Sequence, residues 1–209
     1  AAINCQKFGA DGITIHPRPD ERHITQKDIF DIKAIITREY NIEGYPSDDF
    51  IKMVLKVKPD QVTLVPDGPH VLTSCAGWDT IKFKDFLKGV ISKLKENGIR
   101  TSIFIDPKIE MIEEAKMCGA DRIELYTEDY ANNYLLNKDK AIEPYIIAGK
   151  KAAVLEMGVN AGHDLNLDNL GFFAKAIPNL AEVSIGHALI SDAIYLGLEN
   201  TIQIYKRLL

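Results

Sequence analysis

Short runs rich in β-branched residues alternate with longer amphipathic segments along the whole chain. Each run has the length and composition of a buried strand and ends on a polar residue or in a turn. The pattern predicts seven strands, at residues 12–16, 41–43, 61–65, 101–106, 122–127, 158–160 and 182–185.

The segments between these runs have the three- and four-residue apolar spacing of helices. The clearest covers 83–94, and Asn97-Gly98 predicts its end. A second helix begins after Asp106, a good N-cap that precedes a proline, and ends before Gly119. Residues 166–176 form a third predicted helix.

Strict alternation of strand and helix predicts a parallel sheet, because each helix must carry the chain back before the next strand begins. The fold class is therefore α/β. Polar residues close all seven runs, as the single active face of a barrel requires, and the chain lacks the glycine-rich turn of an open nucleotide-binding sheet. We predict a (β/α)8 TIM barrel in one domain, 1–209, whose first strand precedes Ala1, with residues 1–8 as the tail of the next helix.

Composition narrows the classes of function. Of the 209 residues, 46% are hydrophobic and 26% charged, which is typical of a globular domain and excludes disordered and fibrous proteins. A net charge of -5 and scattered basic residues indicate no nucleic-acid surface. The apolar runs fall far short of the roughly 20 residues of a membrane span. Three cysteines without metal-type spacing favour the reducing cytoplasm.

The loop after the first predicted strand is the most informative in the chain. It places two histidines and two arginines within eight residues, at His16, Arg18, Arg22 and His23. Arginine offers an anion a bidentate fork and histidine carries protons near neutral pH, so the loop suits a phosphate beside a site of proton transfer. The alternative is a solvated polar loop before a helix capped by Thr25.

Two carboxylates occupy positions where burial would make them useful in catalysis. Glu43 ends an apolar run before Gly44, and partial burial at the barrel mouth would raise its pKa toward that of a general base. Glu124 lies between Ile123 and Leu125, so it faces inward if they face the helices. The alternatives are a surface ion pair for Glu43 and a buried structural network for Glu124.

The last two predicted strands lead to histidines preceded by small residues. Gly162 before His163 would let a ligand approach the backbone, and the alternative is an ordinary turn in which Asp164 caps a helix. Gly186 and His187 open an apolar helix, as in barrels that bind phosphate through backbone N–H groups, and a core position is the alternative for His187. No HxH, HxxEH or HExxH pairing occurs, so a metal hydrolase is a minor interpretation and we predict no metal.

An ordered set of these motifs resembles the pyridoxine 5'-phosphate synthase family over essentially the whole chain. The motifs are Gly9-Ala-Asp-Gly-Ile-Thr-Ile-His-Pro-Arg-Pro-Asp-Glu-Arg-His-Ile24, Asn41-Ile-Glu43, Leu64-Val-Pro-Asp67, Leu72-Thr-Ser74, Ser102-Ile-Phe-Ile-Asp106, Val159-Asn-Ala-Gly-His163 and Ile185-Gly-His187. The resemblance implies a (β/α)8 barrel with extra helices, assembled as a homo-octamer. It implies condensation of 3-amino-2-oxopropyl phosphate with 1-deoxy-D-xylulose 5-phosphate to pyridoxine 5'-phosphate, phosphate and water, without metal or cofactor.

The resemblance also implies catalytic roles for four residues. His16 and Glu43 match the general bases of the family, and His163 matches its general acid. Glu124 matches a carboxylate that stabilises a transition state. Ring formation through an imine, several proton transfers and dehydrations needs such a set of acid–base groups instead of one nucleophile.

Six more positions match contacts to the two phosphorylated substrates. Asp164 stands where many members of the family have Gly, so we expect its backbone N–H to contact phosphate while its carboxylate turns away. The positions for deoxyxylulose phosphate are Arg18, His23 and Thr73, and those for the amino-ketone phosphate are Asp164, Gly186 and His187.

Two other classes of function stay open on the residues themselves. One is a different phosphosugar barrel enzyme, an isomerase or aldolase, although a Schiff-base aldolase needs a lysine at a strand end and no predicted strand ends in one. The other is a barrel that binds phosphate without catalysis. The set of His16, Glu43 and His163 argues against that barrel, because a scaffold has no use for three titratable groups at one mouth.

Overall fold

The computed structural model describes residues 1–67 and 76–209, and these alternate between strand and helix. Thr73 belongs to the segment outside the described residues. The strands are β1 Gly12–Ile15, β2 Glu39–Gly44, β3 Gln61–Leu64, β4 Arg100–Ile105, β5 Arg122–Leu125, β6 Gly158–Gly162 and β7 Leu180–Ser184. The helices are α1 Ala2–Lys7, α2 Gln26–Ile35, α3 Asp48–Val57, α4 Lys84–Glu96, α5 Ile109–Met117, α6 Glu128–Val154, α7 Leu170–Ala176, α8 His187–Leu196 and α9 Leu198–Arg207.

The strands form one sheet in sequential order, and every pairing within it is parallel. Side-chain contacts between distant strands show how strongly this sheet curls. Gln61 on β3 donates to Glu182 on β7 across 3.2 Å, although three strands lie between them in the sheet. The hydroxyls of Thr14 on β1 and Ser184 on β7 are 3.1 Å apart. The α/β barrel prediction is confirmed, since the described residues form seven parallel strands of a nearly closed barrel.

The two faces of the barrel wall differ sharply in polarity. Apolar strand residues such as Ile42, Ile103 and Val159 are fully buried in one core cluster with residues of the surrounding helices. Alternate strand positions carry polar groups that are equally buried; examples are Asn41, Thr63, Ser102 and Asn160. Barrel interiors are ordinarily filled by bulky branched side chains, so a polar interior of this kind points to a role beyond packing.

Several predicted helix boundaries are confirmed. Thr25 caps α2 through a reciprocal capping box with Asp28. Gly98 and Gly119 follow the ends of α4 and α5 with φ of +74° and +91°, the left-handed region that favours glycine. The short helix α1 lies within the residues 1–8 that the sequence predicts to be helical.

Two predicted helix starts are wrong. The N-cap of α5 is Lys108 and not Asp106, whose carboxylate instead accepts the backbone N–H of Gly77 at 3.1 Å. The helix predicted from residue 166 begins at Leu170, because Asn166 and Asn169 bond to one another in a turn. In both places a polar side chain accepts a hydrogen bond from a backbone N–H of a loop instead of capping the predicted helix.

The longest helix, α6, contains 27 residues and bends at Asn137, whose backbone is not helical. Neither this helix nor any other in the part of the chain that the structure describes combines the length and apolar character needed to cross a bilayer.

Candidate active site

The candidate catalytic residues gather at the carboxyl ends of the strands. His16 directly follows β1, Glu43 lies at the end of β2, and His163 directly follows β6. Glu124 lies within β5, and Gly186-His187 connects β7 to α8. Because all seven strands run in one direction, their carboxyl ends form one mouth, where the active sites of barrel enzymes lie.

His16 and Glu43 form a close pair at this mouth, with 3.9 Å between Nδ1 of the imidazole and Oε2 of the carboxyl group. Burial, followed by the positive charges of Arg18 and Arg22, lowers the pKa of His16 to about 4. Burial, followed by the negative charge of Glu182, raises the pKa of Glu43 to about 7. At neutral pH the imidazole is therefore neutral and the contact is not an ion pair, so both groups can accept a proton.

Glu124 is the most enclosed of the candidate carboxyl groups, with 5% of its surface exposed. The Thr63 hydroxyl donates to it, and its Oε2 is buried without a hydrogen-bond partner among the described residues. Burial, and then the charges of Glu43 and Glu182, raise its pKa well above the ordinary value. A raised pKa favours the neutral form of this carboxyl group, which can donate a hydrogen bond as well as accept one.

His163 is held in an unusual backbone conformation at the end of β6. Its φ is +35°, and its backbone N–H donates to the carbonyl of Ser184 on β7 at 3.2 Å. The hydrogen bond to Asp164, 3.1 Å from Nδ1, is the main cause that raises the pKa of His163. The ring centroid of His187 lies 6.1 Å from that of His163.

Gly162 makes the position of His163 possible. A Cβ at residue 162 would lie 2.2 Å from the carbonyl oxygen of Ser184, far inside van der Waals contact. Only glycine therefore allows β6 to approach β7 closely enough for the backbone bond from His163. Close packing of β6 against β7 is therefore one reason for the small residue before this histidine, beside the ligand approach expected from the sequence.

The candidate phosphate-binding residues lie in two groups. Arg18 is half-buried in the loop after β1, close enough to Glu43 and His16 to shift the pKa of each. His23 is exposed, and its charge is among those that lower the pKa of His16. In the second group, which follows β7, Gly186 is the N-cap of α8 and His187 its first residue.

The structure contains a charged network inside the barrel that was not predicted from the sequence. Oε2 of Glu182 accepts hydrogen bonds from Arg122 at 2.9 Å, Gln61 at 3.2 Å and Asn160 at 3.3 Å. Arg100 joins the network by donating to Gln61 at 2.8 Å and pairing with Glu39. The alternation rule that predicted an inward Glu124 also applies to the predicted strand 182–185 and could have indicated Glu182.

Within 1–67 and 76–209, no group of three or more His, Cys, Asp or Glu side chains is arranged to hold a metal ion. The described thiols, Cys5 and Cys118, are free.

Solved structures with the same fold include enzymes of several kinds. Phosphoribosylanthranilate isomerase from Thermotoga maritima superposes with a TM-score of 0.62 at 13% identity, covering 99% of this chain and 91% of its own. Thiamine phosphate pyrophosphorylase from Pyrococcus furiosus gives 0.60 at 14% identity, covering 100% and 89%. At such identities the likeness shows the barrel fold alone.

The fold is that of a (β/α)-barrel protein, and the residues at its mouth are of the types that enzymes use in acid–base chemistry. The family model described as "Pyridoxal phosphate biosynthesis protein PdxJ" matches residues 1–209. The pyridoxine 5'-phosphate synthase of Flavobacterium johnsoniae is 60% identical over 99% of this chain and 87% of its own length. That of Bacteroides fragilis is 59% identical over 100% and 88%. The chain therefore belongs to the PdxJ family of pyridoxine 5'-phosphate synthases, which confirms the family and enzyme class predicted from the sequence.

Proposed function

We propose that this chain condenses 3-amino-2-oxopropyl phosphate with 1-deoxy-D-xylulose 5-phosphate to pyridoxine 5'-phosphate, phosphate and water. Family membership supports the reaction, and one observation at the site carries the proposal. Glu43 and His16 lie 3.9 Å apart at the mouth, in environments that leave both able to accept protons at neutral pH. A condensation that ends in an aromatic ring must remove several protons from carbon and nitrogen, which requires such bases.

In this proposal the four catalytic residues divide into two bases and two donors. Glu43, with a pKa of about 7, and the neutral His16 accept protons from the condensing substrates. His163, whose pKa is raised, returns protons to oxygen atoms that leave as water. Glu124, whose buried environment favours its neutral form, donates a hydrogen bond to charge that develops in the transition state. The lowered pKa of His16 and the raised pKa of His163 support the division between base and acid.

The two phosphate groups are assigned to different loops at the mouth. Arg18 and His23, with Thr73 outside the described residues, would hold deoxyxylulose phosphate in the loop after β1. The backbone of Asp164 and Gly186-His187 at the start of α8 would hold the amino-ketone phosphate, since a helix N-terminus favours an anion. Inorganic phosphate, as a product, would leave from the same mouth.

The proposal extends to assembly and location. We infer a homo-octamer in the cytoplasm that needs no metal or cofactor. Exposed apolar side chains on α8, Ile190, Ile194 and Tyr195, support an assembly that covers them. Free thiols at Cys5 and Cys118 support a reducing compartment.

The test mixes both substrates with the protein and follows pyridoxine 5'-phosphate by chromatography, with and without a chelator. Product in both conditions supports the proposal, and its absence from both would move the function to another phosphosugar reaction.

Glu43→Gln should lower kcat about 10²–10⁴-fold with an unchanged circular dichroism spectrum, because an amide cannot accept the proton. The matched control is Glu110→Gln, an exposed position on α5, which should keep full activity. Near-normal turnover by Glu43→Gln would remove Glu43 from its role.

A further inference from the structure

The loop after β6 holds an aspartate whose carboxylate has a single described partner. Oδ1 of Asp164 lies 3.1 Å from Nδ1 of His163, and Oδ2 is buried with no hydrogen-bond partner among the described residues. The carboxylate is therefore not shared with a network. It is directed at the one side chain of this loop to which the proposed function assigns proton transfer.

The backbone around this pair is fixed from both sides. The Leu165 N–H donates to the Gly162 carbonyl at 3.1 Å, and the Asn169 side chain donates to the Asp164 carbonyl at 3.3 Å. Leu165 and Asn169 are buried, so both anchors are part of the packed structure. A carboxylate on such an anchored turn holds its partner ring in one orientation without ordering a flexible loop.

We propose that Asp164 is a positioning residue for His163: its carboxylate fixes the imidazole through Nδ1, leaves Nε2 for the substrate, and stabilises the imidazolium form that donates the proton. The inference rests on the proposed role of His163 as the general acid. It differs from the phosphate contact expected of residue 164, which uses the backbone N–H. The same residue can serve both purposes, because its N–H and its carboxylate are separate groups.

The pairing also explains how a carboxylate is tolerated beside a proposed phosphate site. A free carboxylate would repel the bound anion, whereas one paired with imidazolium presents no net charge. Burial lowers the pKa of His163, and the hydrogen bond and charge of Asp164 outweigh it. Among the described residues, the other titratable or charged groups that face His163 or lie beside it are Glu43, Glu128, His16 and His187.

Asp164→Asn tests this inference, because it keeps the shape of the side chain and removes its charge. Titration by NMR of the five histidines, with His163 assigned from a His163→Asn spectrum, measures protonation without any need for turnover. We expect the titration of His163 to move to lower pH in Asp164→Asn. With the mechanism as proposed, the high-pH limb of kcat moves to lower pH in parallel, because the acid loses its proton sooner.

Asp168→Asn is the matched control, since Asp168 is an exposed carboxylate of the same loop. It should leave both the His163 titration and the kcat profile where they are in the wild type. An unchanged His163 titration in Asp164→Asn, or an equal shift in Asp168→Asn, would overturn the proposal. If Asp164→Asn does not give a folded spectrum, Asp164→Ser takes its place with the same expected shift. A wild-type protein that forms no product would refute the proposed function, and the titration would still decide the pairing.

Discussion

Glu182→Gln separates the structural and the electrostatic parts played by the charged network inside the barrel. The substitution keeps the shape of the side chain and removes its charge from a position that accepts hydrogen bonds from Arg122, Gln61 and Asn160. Breaking a fully buried ion pair costs about 3–5 kcal/mol. The side chains of Glu182 and Arg122 are 21% and 19% exposed, so solvent screens part of the pair. We therefore expect a loss of about 2–3 kcal/mol in the free energy of unfolding.

The same substitution should change the pH dependence of catalysis in a known direction. The negative charge of Glu182 helps raise the pKa of Glu43, and removing it lowers that pKa. Glu43 then stays ionised to lower pH, so the low-pH limb of kcat/KM moves to lower pH. Burial is the larger cause of the raised pKa and is unchanged, so the limb should still lie above the ordinary glutamate range.

Glu39→Gln supplies the matched control for both measurements. Glu39 pairs with Arg100 in the same network, with 33% and 29% of their side chains exposed, so its loss should also destabilise the protein. The charges that shift the pKa of Glu43 come from Glu182, His163 and Arg18. Urea denaturation gives the stabilities, and initial rates from pH 5 to 9 give the limbs. An unmoved limb in Glu182→Gln, or an equal shift in Glu39→Gln, would refute the electrostatic role.

Two further predictions concern the loop after β6. His163→Asn should lower kcat about 10²–10⁴-fold and let an intermediate accumulate in rapid-quench mass spectrometry, because the dehydration steps lose their acid; unchanged steady-state rates would contradict this. Gly162→Ala should destabilise the protein by about 1–3 kcal/mol, because its Cβ meets the Ser184 carbonyl oxygen at 2.2 Å. Gly89→Ala on α4, where a Cβ meets nothing within 4 Å, should instead stabilise by about 0.5–1 kcal/mol, and equal melting temperatures for the two variants would argue against the steric account.

The positions of His16, Glu43 and His163 could be predicted because they depend on local features. Each lies at or just beyond the end of a β-rich run, and parallel strands bring such ends to the same mouth whatever the details of packing. The fold followed from the same alternation of strand and helix. The helix beginnings were less predictable, because Asp106 and Asn166 each had a competing partner in a loop.

The electrostatics of the site depend on contacts that sequence spacing does not reveal. Glu182 is 121 residues from Gln61 and 60 from Arg122, and these partners meet only because the sheet curls. The pKa of Glu43 in turn depends on Glu182, from a strand that is not its neighbour in the sheet. A sequence pattern can therefore indicate which carboxylates face inward, whereas the protonation state of each requires the closed barrel.

The polar interior gives the three inward carboxyl groups different partners in one enclosed space, and burial raises the pKa of each. Glu182 has Arg122 and two amide groups as donors, which stabilise its charge. The negative charge of Glu182 adds to the effect of burial on Glu43 and Glu124, whereas His163 and Arg18 lower the pKa of Glu43 and the Thr63 hydroxyl lowers that of Glu124. An apolar residue in place of Glu182 could have packed as well, but its contribution to the pKa of Glu43 and Glu124 would then be lost. The ion pair therefore serves the proposed chemistry by holding a negative charge near Glu43 and Glu124, which helps to keep the pKa of each above its ordinary value.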